Sequence, residues 1–170
     1  MRDEHWFTRL YTDHYPDVSR YAMRRLTDPD AVAELTQEVF VVAWRRRADV
    51  PDQGLPWLYG VARRLLANHW RGLRASPAPV PLPGKETTVG ADHHAAADRL
   101  ADVRRALATL SDPDRELLQL IGWEQLTLAE AARVLGCSRP TAAVRLHRAR
   151  GRLTRALAGP TAAPAAIPSR

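Results

Sequence analysis

The chain has 170 residues, enough for one medium domain or two small ones. Its formal charge of +6 and pI near 10.4 favour a polyanionic partner, because basic groups gain from releasing the counterions condensed on nucleic acid. The one cysteine, Cys137, excludes an intramolecular disulfide and a cysteine-based zinc site, and no run nears the roughly 20 apolar residues of a membrane helix.

Ala, Leu and Arg dominate, while alternating runs of Val, Ile and Thr are scarce, so the predicted fold class is all-α. Of the 25 basic residues all but Lys85 are arginine. A genomic bias toward arginine codons would produce that ratio, and so would a use for the planar fork that grips phosphate or a guanine edge. The N-terminal MRDEHWFTRLY has no apolar signal core, which points to a soluble, cytoplasmic chain with no membrane insertion.

In chain order, Phe7, Leu10, Tyr11, Tyr15, Val18, Ala22 and Leu26 trace one face of a first helix, which Pro16 is expected to bend or interrupt. Asp28, Pro29 and Asp30 start a second. It should bury Val32, Leu35, Val39 and Val42 or Ala43, and expose Glu34, Gln37, Glu38, Arg45 and Arg46. A loop over 48–56 leads to a third helix with Pro56 near its start, where Trp57, Tyr59, His69 and Trp70 alternate with Arg63, Arg64, Asn68 and Arg71. Aromatics among cations suit single-stranded DNA, since each unstacked base recovers roughly 1–3 kcal/mol on a ring. Trp57 and Trp70 would equally serve as core residues.

Pro77, Pro79, Pro81 and Pro83 mark a linker over about 75–96, and Pro160, Pro164 and Pro168 a disordered tail from 159. Two small helical domains follow, over 1–74 and 97–158. In the second, Leu100, Val103, Leu107 and Leu110 share a side, and Ser111, Asp112 and Pro113 restart a helix. Thr127 and Glu130 have capping-box spacing, Gly136 permits a turn, and Ser138 caps a last helix whose first turn tolerates Pro140. Two helices around a glycine turn, the second basic, make a helix-turn-helix; the alternative is a plain αα-hairpin with a solvated arginine face. Ala142, Leu146, Ala149 and Leu153 form the inward stripe of the last helix. Ala143, Val144, His147 and Arg148 are the candidates for base edges, Arg148 for guanine and the small apolar pair for thymine methyls. Arg139, Arg145, Arg150 and Arg152 suit phosphate.

Catalytic and metal chemistry find little support. Glu34 and Glu38 are four apart, but with no nucleophile, glycine loop or metal cluster they read as a protein-binding or solvated face. His93 and His94 beside Asp92 read as solvated linker residues. Cys137 reads as a small half-buried side chain. Neither metal, cofactor nor catalytic residue is expected.

The stretches ELTQEVFVVAWRR, PWLYGVARRLLANHWRG and LTLAEAARVLGCSRPTAAVRLHRARGRL, in that order, resemble regions 2.2, 2.3–2.4 and 4.2 of bacterial sigma factors of the extracytoplasmic-function (ECF) type. The resemblance runs from Phe7 to Leu157. It implies a transcription initiation factor that binds core RNA polymerase, recognises the −35 and −10 promoter elements and promotes DNA melting. On this basis Glu34, Gln37, Glu38 and Arg45 would meet the clamp coiled coil of the largest polymerase subunit. Trp57, Arg63, Arg64, Asn68 and Arg71 would capture the −10 strand. Arg139, Thr141, Ala143, Val144, Arg145, His147 and Arg148 would face the −35 element, with the second domain on the flap of the second-largest subunit. An anti-sigma factor is an implied partner. The sequence departs from the family at Glu34 (usually Asp), Arg64 (commonly Asn), Asn68 (commonly Asp) and Ala142 (usually Val or Ile). The alternative function is a stand-alone helix-turn-helix regulator.

Overall fold

The computed structural model describes residues 2–75 and 91–158, and within them the chain is all helix. The helices are α1 (Glu4–Met23), α2 (Pro29–Arg45), α3 (Gly54–Ala75), α4 (Ala91–Ala108), α5 (Asp112–Gly122), α6 (Leu128–Leu135) and α7 (Arg139–Leu157).

Local chemistry accounts for most helix starts. The Asp3 carboxylate accepts from the Trp6 N–H, which holds its pKa below the ordinary carboxylate range. Asp28 accepts from the Asp30 N–H, with Pro29 in the first turn. Thr127 and Glu130 complete the capping box. Thr127 Oγ1 accepts from the Glu130 N–H at 3.3 Å, and Glu130 Oε2 accepts from the Thr127 N–H at 2.8 Å. Those bonds to Thr127, from its hydroxyl and its backbone, lower the Glu130 pKa.

Two expectations are corrected. Pro16 neither interrupts α1 nor ends it: the helix runs through to Met23 with Pro16 on its exposed side. The face carrying Leu10, Val18 and Ala22 is buried, and that packing holds the helix across the missing N–H. The expected linker over 75–96 is too long at both ends, since α3 includes Ala75 and α4 starts at Ala91. Ala91 and Ala95–Ala97 supply helix propensity that outweighs the solvated look of the segment. The proline run and the expected tail lie outside the described residues.

In the first half α1, α2 and α3 pack on one another around Leu10, Val18, Ala22, Leu35, Val39, Phe40, Ala43, Leu58 and Ala62. In the second, α7 lies against α4, α5 and α6. The two halves do not stay apart. Helix α3 packs on α6, and Leu117, Leu120, Leu126, Ala131 and Val134 belong to the same buried cluster as the first half.

Gly136 ends α6 in the left-handed region at φ 67°. A Cβ there would meet nothing within 4 Å, so the cost of a side chain is purely conformational. Gly136→Ala is expected to lose about 1–2 kcal/mol of stability, and Gly136→Asn markedly less. Denaturant midpoints at unchanged slope measure both, and equal losses would contradict the backbone explanation.

Candidate nucleic-acid interface

Helix α7 is built with two faces. Ala142 and Ala149 are fully buried, and Leu146 and Leu153 are half-buried beside them. The small side chains on α7 and Ala132 on α6 let the two helices of the turn approach closely. Around the rest of α7, Arg139, Thr141, Ala143, Val144, His147, Arg148 and Arg150 are exposed, and Val144 keeps 53 % of its surface. Thr141 is partly committed, its hydroxyl 2.8 Å from the capping hydroxyl of Ser138.

Arg145 differs from its neighbours. It is half-buried and turned toward α5, with Nε 4.0 Å from Asp114 Oδ1. Arg152, one edge residue further along, binds the other oxygen of the same carboxylate. Asp114 itself is buried in the first turn of α5, where the helix dipole also favours its charge. A groove of about 480 Å3 runs along this edge of α7 past Thr141, Val144 and Arg148.

On α3, Trp57, Arg64, Asn68 and Arg71 fall at i, i+7, i+11 and i+14, which is one stripe. Trp57 is half-buried against the core. Arg64, Asn68 and Arg71 are exposed, with Arg71 donating to the Asn68 side chain and, at 3.3 Å, to the Ala67 carbonyl. Arg63 lies about 100° away from Arg64. It lines a cleft of about 620 Å3 together with Trp70, Arg71, Arg24, Arg25 and residues of α5. Trp70 is 42 % exposed in this cleft, its ring edge-on to His69 at 5.6 Å.

On α2, Glu34, Gln37, Glu38 and Arg45 are exposed on one side, as expected. Val41, 45 % exposed, completes the row at i, i+3, i+4, i+7 and i+11. Beside it a groove of about 670 Å3 is floored by Phe7, Tyr11, Phe40 and Trp44. Phe7 meets Trp44 edge to face at 5.2 Å, and Tyr11 lies 4.8 Å from Phe40. The sequence placed Phe7 and Tyr11 on one face of the first helix with Leu10 and Val18, and gave Val41 and Trp44 no role. An apolar residue between Glu38 and Arg45 on an exposed row was the available signal.

Among the described residues no group of three or more His, Cys, Asp and Glu could hold a metal, and no helix is long and apolar enough to cross a membrane.

Known proteins share this arrangement. Residues 10–76 match the family described as Sigma-70 region 2, and residues 100–153 the family described as Sigma-70, region 4. The ECF RNA polymerase sigma factor SigC of Mycobacterium tuberculosis is 33 % identical over 140 residues, covering 81 % of this chain and 75 % of its own. SigL of the same species is 30 % identical over 146 residues, covering 81 % of each. Among solved structures, the sigma factor RpoE bound to the anti-sigma factor NepR from Bartonella quintana superposes with a TM-score of 0.65 at 23 % identity, over 91 % of this chain and 98 % of that one. CnrH in complex with the cytosolic domain of CnrY gives 0.67 at 23 %, over 94 % and 92 %. Those two likenesses establish the helical fold. The matched regions and the mycobacterial relatives together establish that the chain belongs to the ECF group of sigma-70 RNA polymerase sigma factors.

Proposed function

We propose that this sigma factor divides its labour among three surfaces: the exposed row of α2 binds the clamp coiled coil of core polymerase, α3 captures the melted −10 strand, and α7 reads the −35 element. The observation that carries the reading is the polarity of α7, whose buried alanines bring it close to α6 while a cationic face with small apolar residues stays open for the major groove. On α3, Arg64, Asn68 and Arg71 supply charge and hydrogen bonds along one stripe, and Trp70 offers a stacking surface. Each half presents only a short contact with DNA. Polymerase, by setting their separation, makes the pair bivalent. The protein supplies binding and positioning, the polymerase the chemistry. Cytoplasmic location, the flap contact of the second half and capture by an anti-sigma factor belong to the same reading.

Run-off transcription with purified bacterial core polymerase on pooled random templates tests it. Sequenced transcript starts should share an upstream pair of elements only when the protein is added. No stimulation of core, with tight specific duplex binding by the protein alone, would favour the stand-alone regulator instead. Gln37→Ala with Val41→Asp is expected to weaken core binding about 10-fold, since both side chains are exposed and neither supports the core. Binding of the −35 duplex should be unchanged in that variant, measured by anisotropy.

A further inference from the structure

The turn between α2 and α3 is held from outside by a residue that precedes α1. Arg2 reaches it with one guanidinium, across 45 to 50 positions of sequence. Nη1 donates to the Arg47 carbonyl at 2.7 Å and, more weakly, to the Ala48 carbonyl at 3.5 Å, while Nη2 donates to Asp52 Oδ1 at 3.3 Å. The fork thus spans both arms of the turn. Its carbon lies 5.1 Å from the centre of the Trp6 ring, which restricts where the fork can point, and the Arg2 side chain is only 24 % exposed.

The rest of the turn is anchored as well. Val50, at its middle, is buried, and Gly54 opens α3 so close to Leu10 that a Cβ would come within 2.8 Å of that side chain. Arg46 donates through Nε to Asp49 Oδ2 at 3.0 Å, and the Asp49 N–H donates to the Arg46 carbonyl at 2.8 Å. Between these anchors Asp49, Pro51, Asp52 and Gln53 are exposed. A surface turn fixed at several points presents its exposed groups in one arrangement.

The turn runs into α3 just before Trp57, where the stripe of Trp57, Arg64, Asn68 and Arg71 begins. The two surfaces differ in chemistry. The stripe is cationic and suits phosphate, whereas the turn offers two carboxylates and an amide, which repel or ignore phosphate but accept from the amino groups of bases. A strand laid along the stripe meets the turn at the Trp57 end.

We propose that Arg2 is a positioning residue for strand selection: by stapling the two arms of the turn over 46–53, it holds Asp49, Asp52 and Gln53 where the bases of a strand on α3 are compared. The proposal rests on the reading of α3 as the strand-capturing helix. Arg2 acts through the turn and not on the strand, since both of its terminal nitrogens are engaged within the chain. Releasing the turn leaves the cations of α3 in place. Selectivity is lost more than grip.

The test uses the full chain with purified bacterial core polymerase on a promoter recovered from the random-template pool. Run-off from that promoter competes with run-off from versions carrying single-base changes in the −10 or the −35 element. Arg2→Ala should lower discrimination at −10 about 10-fold, as for the loss of one base contact. Discrimination at −35 should stay within about two-fold, as should both readings for Arg9→Ala, which removes the same charge from an exposed position of α1. Arg2→Lys should fall between, because an ammonium holds one carbonyl but cannot span both arms. In the free chain, hydrogen exchange at the amides of 49, 50, 52 and 53 should quicken about 10-fold in Arg2→Ala. Faster exchange without lost discrimination, or the reverse, overturns the proposal. The salt dependence of promoter binding should be unchanged, and a slope reduced by about 0.9 would make Arg2 a phosphate contact instead. A wild type with no −10 preference sinks the strand-capturing reading and the proposal with it, whereas a wild-type preference that Arg2→Ala leaves intact sinks the proposal alone.

Discussion

Arg148→Ala is expected to lower −35 affinity about 10- to 100-fold within the assembled polymerase and to leave core binding intact. Arg148 is exposed on α7 one turn beyond Val144 on the same face, about 100° around the helix from the buried Ala149. A bidentate arginine–guanine contact discriminates by about 1–3 kcal/mol, which is the range behind the expected loss. Phosphate binding by the same side chain would also weaken the complex, so affinity alone does not distinguish the two roles. Competition with single-base variants does. A base contact makes the loss large on the preferred duplex and small where its guanine is replaced, with little change in salt dependence. A phosphate contact weakens all duplexes alike and reduces the salt slope by about 0.9. Arg148→Lys should fall between, because an ammonium cannot present the planar fork.

Much of this surface was legible in the sequence because its logic is local. The stripe of Ala142, Leu146, Ala149 and Leu153, the capping box at Thr127 and the turn at Gly136 each involve residues within a few turns of one another, and each is found as expected. The cap at Ser138 is likewise in place, accepting from the Thr141 N–H at 3.3 Å. What escaped is long-range. Arg25 and Glu116 are 91 residues apart, Arg152 and Asp114 38, and no periodicity announces which acid a given arginine will meet. In and just after α5 the acids look like ordinary solvated charge, yet the Glu124 side chain is buried against Arg24 and Arg25 of the first half. Arg145 was grouped with the phosphate-binding arginines because it is basic and sits on α7. Its position at the edge of the buried stripe, about 100° from Val144, was the overlooked hint. The start of α4 was misplaced for a different reason: composition separates proline-rich from proline-free chain well, but a polar alanine-rich segment next to a linker is ambiguous.

Asp114→Asn is expected to convert the arginine edge of α7 from a fixed scaffold into loose charge. In the native chain Asp114 is 6 % exposed and its carboxylate engages both Arg145 and Arg152, so it tethers α7 to α5 at the edge that flanks the groove past Thr141, Val144 and Arg148. Hydrogen bonds to charged groups contribute about 1.5–3 kcal/mol. Arg152 is half exposed and solvent screens its share, so the stability loss should be about 1–2 kcal/mol. The sharper consequence concerns DNA. Two arginines released from an internal carboxylate are free to meet phosphate, and each added phosphate contact steepens the salt slope by about 0.9. Non-specific duplex binding should therefore strengthen at low salt and depend on salt more steeply, by 1–2 in slope. Preference for the −35 sequence should shrink, because the helix is held less firmly in register while its sequence-blind grip improves. Asp114→Glu, which keeps the charge on a longer stem, should restore the native slope more fully than it restores stability. If Asp114→Asn instead weakens specific and non-specific binding equally at an unchanged slope, the carboxylate only stabilises the domain and Arg145 is already spent on it.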